Sequence, residues 1–176
     1  SGAPWEIDQL TPLADHDLHT LRLPDDPRDI DAYADVVVDA LAGLDDVVLV
    51  GDSFGAVVAL AVAVRRPPQL RALVLSGGFA ADPVTDPITR LKVSAARWLP
   101  GPLYRQLVLR FHAASLASPH DGHGQVPWTQ ADSRRLFLDH TPHAAYVNRA
   151  HAAFSADYRH RLHHVEVPTL ILTPSH

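Results

Sequence analysis

Residues 47–56 read Val47-Val48-Leu49-Val50-Gly51-Asp52-Ser53-Phe54-Gly55-Ala56, and the rest of the chain is organised around them. Four consecutive aliphatic residues, Val47–Val50, have the pattern of a strand buried on both faces, as in the centre of a parallel sheet. The Ala- and Val-rich run Phe54–Val64 reads as a helix. Arg65-Arg66 suit the negative end of its dipole, and Pro67-Pro68 stop it. Between strand and helix lies Gly51-Asp52-Ser53-Phe54-Gly55, a G-x-S-x-G pattern on a strand-to-helix turn. So tight a turn forces strained backbone at the central serine, and the positions two residues away on either side must be small. Gly51 and Gly55 meet that demand, and Ala56 keeps the next position small. The expected geometry lifts the Ser53 hydroxyl above the carboxyl end of the sheet, where open α/β sheets bind ligands. It also sets the Phe54 N–H, at the helix N-terminus, where an oxyanion would form. Taken alone, the five residues are more often a glycine-rich turn with an incidental serine; the flanking strand and helix weigh against that. A dinucleotide-binding turn is ruled out by the lack of G-x-G-x-x-G.

Working outward, Arg71–Ser76 is a second apolar strand, closed by Gly77-Gly78. Strand, helix and strand at this spacing make a βαβ unit and so a parallel sheet. Upstream, Asp29 is placed to cap a helix over Ile30–Leu44, whose Ile30, Tyr33, Val37 and Leu41 recur on one face. His19–Leu23 is a short extended run ended by Pro24. From Asp82 to Arg161 nothing reads as a buried strand. Helical patterns cover Pro87–Leu99, Pro102–Leu116, Gln130–His140 and His143–Ala156, with a loop of turn formers at Ser118–Trp128. Trp98, Leu103, Tyr104 and Phe111 are expected to pack within this segment. Val165–Thr173 then returns as another buried strand. The expected organisation is a core over 1–81, a helical cap over 82–161 and returning core over 162–176.

Composition narrows the function classes. In 176 residues, 15 Lys+Arg against 20 Asp+Glu leave a formal net charge of -5, which gives no reason to expect nucleic acid or anionic lipid as partner. Cysteine is absent, which excludes thiol catalysis, disulfides and cysteine-ligated metals. The longest wholly apolar run, Ala56–Val64, is far short of the ~20 residues that span a membrane. No leader pattern opens the chain, so a cytoplasmic location is expected. His120-Asp121-Gly122-His123 carries metal-ligating residue types but has no partner at metal spacing, and is read as a solvated loop.

The segment VVLVGDSFGAVVALAVAVRRPPQLRALVLSG, residues 47–77, resembles the nucleophile elbow of the α/β-hydrolase superfamily. Trp5–Leu13 resembles the helix after that family's oxyanion loop, and His19–Pro24 the strand that follows. Asp82–Arg161 resembles its variable cap, and Val167–Thr173 the strand that precedes its catalytic acid. The resemblance implies a partial α/β-hydrolase fold, a mostly parallel sheet with an inserted helical cap. It implies Ser53 as nucleophile, the Phe54 N–H as one oxyanion donor, a small-molecule substrate and neither metal nor organic cofactor. The family's base and acid would fall beyond residue 176 and its oxyanion loop before Ser1. The chain is therefore expected to be an internal fragment with an incomplete triad, poorly stable and nearly inactive alone. Asp82 lies several residues late for an acid, His176 lies where the acid rather than the base belongs, and Asp52 is expected to support the turn. Two functions stay open: a serine hydrolase of ester or related carbonyl bonds, and a hydrolase-like scaffold that binds a small molecule without turning it over. The elbow serves both. Acyl transfer and C–C bond hydrolysis use the same machinery.

Overall fold

The computed structural model describes residues 13, 15–27, 29–82, 84, 86–95, 98–111, 135, 138–139 and 141–173. Helix α1, Ile30–Ala40, starts where its cap sits: Asp29 is extended, and its Oδ1 accepts from the Ala32 N–H at 2.7 Å. Ile30, Tyr33, Ala34 and Val37 form its buried stripe. The helix ends a turn earlier than its apolar spacing suggests. Leu41 is the C-cap and Gly43, at φ 84°, takes the left-handed conformation that ends the run.

Three parallel strands follow: β1, Val47–Asp52; β2, Leu70–Ser76; and β3, Thr169–Leu172, side by side in that order. The register aligns Val50 with Val74 and Val74 with Leu170. Helix α2, Phe54–Ala63, joins β1 to β2 and is buried from Ala56 through Ala63. A helix apolar on every side belongs inside, and α2 packs against the sheet, α1 and helix α5, His143–Ser155, of the inserted helical region. Just past its end, Arg65 bonds Asp35 at 2.5 Å and Asp31 at 2.9 Å, tying the end of α2 to α1.

Three expectations need correction. β1 is not buried on both faces: it lies at the edge of the sheet among the described residues, as a missing neighbour strand would leave it, and its alternate residues Val48 and Val50 are 56% and 64% exposed. Only the opposite face, with Leu49, Gly51, Leu73 and Leu75, lies against α2, because successive side chains point to opposite faces. β3 is likewise exposed along its whole length, with β2 on one side only among the described residues. Residues 17–24 form no strand: the His19–Leu23 run is extended in pattern but has no described neighbour to pair with. Extended sequence becomes a strand only where a second edge accepts its backbone groups.

The inserted helical region leaves and rejoins the core at one place. Ala81 pairs with Asp157 in an isolated antiparallel bridge, flanked by Asp82 N–H to Ala156 O at 3.1 Å and Tyr158 N–H to Ala80 O at 2.7 Å. Between those ends run α3, Pro87–Ala95, α4, Gly101–Phe111, and α5. Tyr104 is buried against His143 and Tyr146 of α5, whereas Trp98 and Leu103 are largely exposed. The side chain of Phe111, the Ser118–Trp128 loop and most of Gln130–His140 lie outside the described residues. No described helix is long and apolar enough to cross a membrane.

Candidate active site

The three parallel strands end side by side along one edge of the sheet, with Asp52, Ser76 and Leu172 in register. There β1 ends at Asp52, Ser53 turns the chain, and α2 begins at Phe54. Ser53 has φ 52° and ψ -118°, outside the favoured regions for a side-chain-bearing residue. The Ser53 N–H donates to Ser76 O at 2.7 Å, and the Gly77 N–H donates to Leu172 O at 3.1 Å. The elbow is thus bonded to the end of β2, which is bonded in turn to β3. Ser53 is exposed, and its hydroxyl makes no bond to the helix it opens. Such a serine caps nothing and faces outward from a strained turn, which is the placement a nucleophile requires.

Steric demand at the turn is unequal. A Cβ on Gly51 would stand 2.5 Å from Gly55 O and 2.7 Å from Ala56 Cα, both backbone atoms of the turn and helix. A Cβ on Gly55 would meet nothing within 4 Å among the described residues. The strand-side glycine is therefore the one the fold needs small. A second close approach was hidden in the sequence: a Cβ on Gly78 would lie 2.6 Å from the Ala56 Cβ. The pair Gly77-Gly78 reads only as the end of a strand until β2 is placed beside α2.

That contact carries a prediction. Gly78→Ala is expected to cost about 1–3 kcal/mol through overpacking against Ala56. Adding Ala56→Gly should recover part of the loss, so the double variant is more stable than the sum of the two singles. Thermal melts of the four proteins measure the coupling. Strict additivity would mean that the two positions do not touch.

The Phe54 N–H belongs to the first turn of α2, where helix N–H groups have no intrahelical acceptor and the dipole is positive. It can donate to a negative oxygen beside Ser53. Asp52 is exposed and lies next to Ser53 in sequence, on the sheet face opposite Gly51. The Asp82 carboxylate is engaged elsewhere, by the Arg90 guanidinium and by the Val84 N–H at 2.8 Å. Histidines with described partners also look elsewhere. His19 pairs with Asp17 at 3.1 Å, His163 stacks on His164 at 4.1 Å, and His143 lies 4.0 Å from Tyr104. Among the described residues no group of three His, Asp or Glu side chains could hold a metal. His120-Asp121-Gly122-His123, His176 and Trp5–Leu10 lie outside the described residues.

A family model described as serine aminopeptidase, S33, matches residues 16–176. No curated protein matches the chain. Among solved structures, the chain is similar to a hydrolase from Pseudomonas aeruginosa PA01, with 17% identity, a TM-score of 0.69, and 95% of this chain and 65% of that one covered. It is similar to the enol-lactonase from Burkholderia xenovorans LB400 at 18% identity and TM-score 0.63, covering 87% and 57%. A bromoperoxidase from Bacillus anthracis gives 16%, 0.63, 85% and 57%. At such identities the likeness is one of fold. The chain spans 57–65% of the length of these structures.

Proposed function

The chain belongs to the serine aminopeptidase S33 family of the α/β-hydrolase superfamily, and from that premise we propose a serine hydrolase that cleaves an ester or related carbonyl bond of a small molecule. The observation that carries the proposal is Ser53, an exposed serine at φ 52° and ψ -118° at the carboxyl end of β1. Strain of this kind costs about 1–3 kcal/mol and persists where surrounding structure enforces it, commonly at functional sites.

In the proposed reaction the Ser53 Oγ attacks the carbonyl carbon and passes its proton to a histidine base. The negative oxygen that forms accepts from the Phe54 N–H. That donor is fixed in place before the reaction, so no reorganisation is needed as charge develops. Collapse of the intermediate returns the proton to the leaving alcohol and leaves an acyl group on Ser53. Water, deprotonated by the same base, then releases the acid. The base and its orienting acid come, on this reading, from residues outside those described here. The scheme uses no metal or organic cofactor.

Hydrolysis of a chromogenic short-chain ester by the full-length polypeptide tests the proposal, with the matching anilide as comparator. Saturable ester cleavage that depends on Ser53 supports it. Binding of the ester without turnover would favour the non-catalytic scaffold instead.

A further inference from the structure

We propose that Tyr33, on helix α1, is a positioning residue for the elbow, holding the Phe54 side chain and through it the N–H beside Ser53. The inference rests on the serine-nucleophile reading and adds a residue to it. Two of the restraints on the strained turn come from its own strand and the neighbouring one: the Ser53 N–H bond to Ser76 O, and the tight contact of Gly51 with Gly55 and Ala56. A further restraint comes from α1. The Tyr33 ring meets the Phe54 ring edge to face, with centroids 5.0 Å apart and planes at 82°. Tyr33 is fully buried, and Phe54 is the first residue of α2. A ring clamped at that position limits rotation of the first turn, whose N–H must point at the reacting oxygen. A turn held at unfavourable φ and ψ relaxes when any restraint is released.

The clamp also reaches the cap. The Tyr33 hydroxyl is buried beside the Arg149 guanidinium, whose Nε is buried as well. Burial pushes the hydroxyl pKa up, and the Arg149 guanidinium facing it pulls the other way. Arg149 sits on α5 and donates to Asp25 Oδ1 at 3.1 Å and Leu23 O at 3.3 Å, while Asn148 donates to Asp25 O at 2.9 Å. Residues 23–25 and the cap helix are thereby locked together, with the Arg149 guanidinium and the Asp25 carboxylate near the hydroxyl of the fully buried Tyr33.

The test is steady-state kinetics of the full-length enzyme on a chromogenic ester, with Ser53→Ala as the reference for the nucleophile. Tyr33→Leu is expected to lower kcat about ten-fold with KM changed less than about two-fold, the signature of an interaction lost in the transition state alone. Tyr33→Phe keeps the ring and should keep kcat within about two-fold. Phe54→Leu removes the same contact from the other side, and combining it with Tyr33→Leu should add little further loss. If Tyr33→Leu does not fold, Phe54→Leu must show the same kcat loss at unchanged KM. Equal losses in Tyr33→Phe and Tyr33→Leu, a change confined to KM, or additive losses would each overturn the assignment. Full activity in Ser53→Ala would remove the nucleophile reading and this one with it. Loss of activity there, with Tyr33→Leu and Phe54→Leu both unaffected, would remove this one alone.

Discussion

Ser53→Ala in the full-length polypeptide should reduce ester turnover by about 10⁴-fold or more while leaving the fold unchanged. The size of the effect follows from the role: without the hydroxyl no acyl-enzyme forms, and a binding site with one oxyanion donor accelerates attack by water only weakly. The neutral effect on folding follows from the geometry. Ser53 is exposed and its hydroxyl makes no bond to the helix, so truncation at Cβ breaks no such contact. The strain at φ 52° is a property of any residue with a Cβ, so alanine carries it equally. A melting temperature within about 2 °C of the parent, corresponding to less than about 1 kcal/mol, should accompany the loss of activity. Loss of folding together with activity would point to a structural serine.

The second large effect is a pair of opposite signs at the two glycines of the elbow. Gly51→Ala places a methyl 2.5 Å from Gly55 O and 2.7 Å from Ala56 Cα. Both are backbone atoms, so relief requires opening the turn or shifting β1 against α2. Overpacking of this kind costs about 3 kcal/mol or more where backbone must move. For a domain of this size that lowers the melting temperature by roughly 6–12 °C, and turnover should fall with it. Gly55→Ala meets open space among the described residues and sits in the first turn of α2, where alanine is the better helix former by up to about 1 kcal/mol. It should be neutral or mildly stabilising. Thermal melts of the two variants side by side decide the matter; equal destabilisation would mean that the turn is not built as described.

The contrast between these glycines shows where sequence reasoning ran out. G-x-S-x-G asks for small residues symmetrically about the serine, and only coordinates reveal which one faces backbone. Features carried by neighbours in the chain were legible. The β1–α2–β2 unit, the Asp29 cap and the stop at Pro67-Pro68 depend on local spacing and turn chemistry, and they appear where the pattern puts them. Features set by distant partners were not. Val48, Val50 and Leu170 have the composition of interior strand residues, yet burial depends on what lies across the sheet, and these side chains are exposed. His19–Leu23 has the extended pattern without a strand to join among the described residues. Gly78 acquires its role from Ala56, and Tyr33 from Phe54. In both pairs the two residues are about twenty apart, across a crossover, where no periodicity announces a contact. The helix end at Gly43 was readable in principle, because a glycine after an apolar run is a common stop signal.

Site and fold are connected through strain. The turn at Ser53 is held by a bond to β2, by a glycine packed on the helix behind it, and by an aromatic ring from α1. These contacts come from three different elements, so the placement of the serine depends on the tertiary packing of the core rather than on the pentapeptide alone. That is why the motif carries weight here beyond its letters.

The most direct measurement is covalent labelling of the folded full-length polypeptide with a fluorophosphonate, followed by peptide mass spectrometry. Such reagents phosphonylate serines that are activated as nucleophiles and leave ordinary hydroxyls unmodified. The account predicts one adduct, on Ser53, formed at a rate that falls in the presence of a competing ester and absent from Ser53→Ala. An adduct on another residue, or none on Ser53 in a protein that hydrolyses esters, would contradict it.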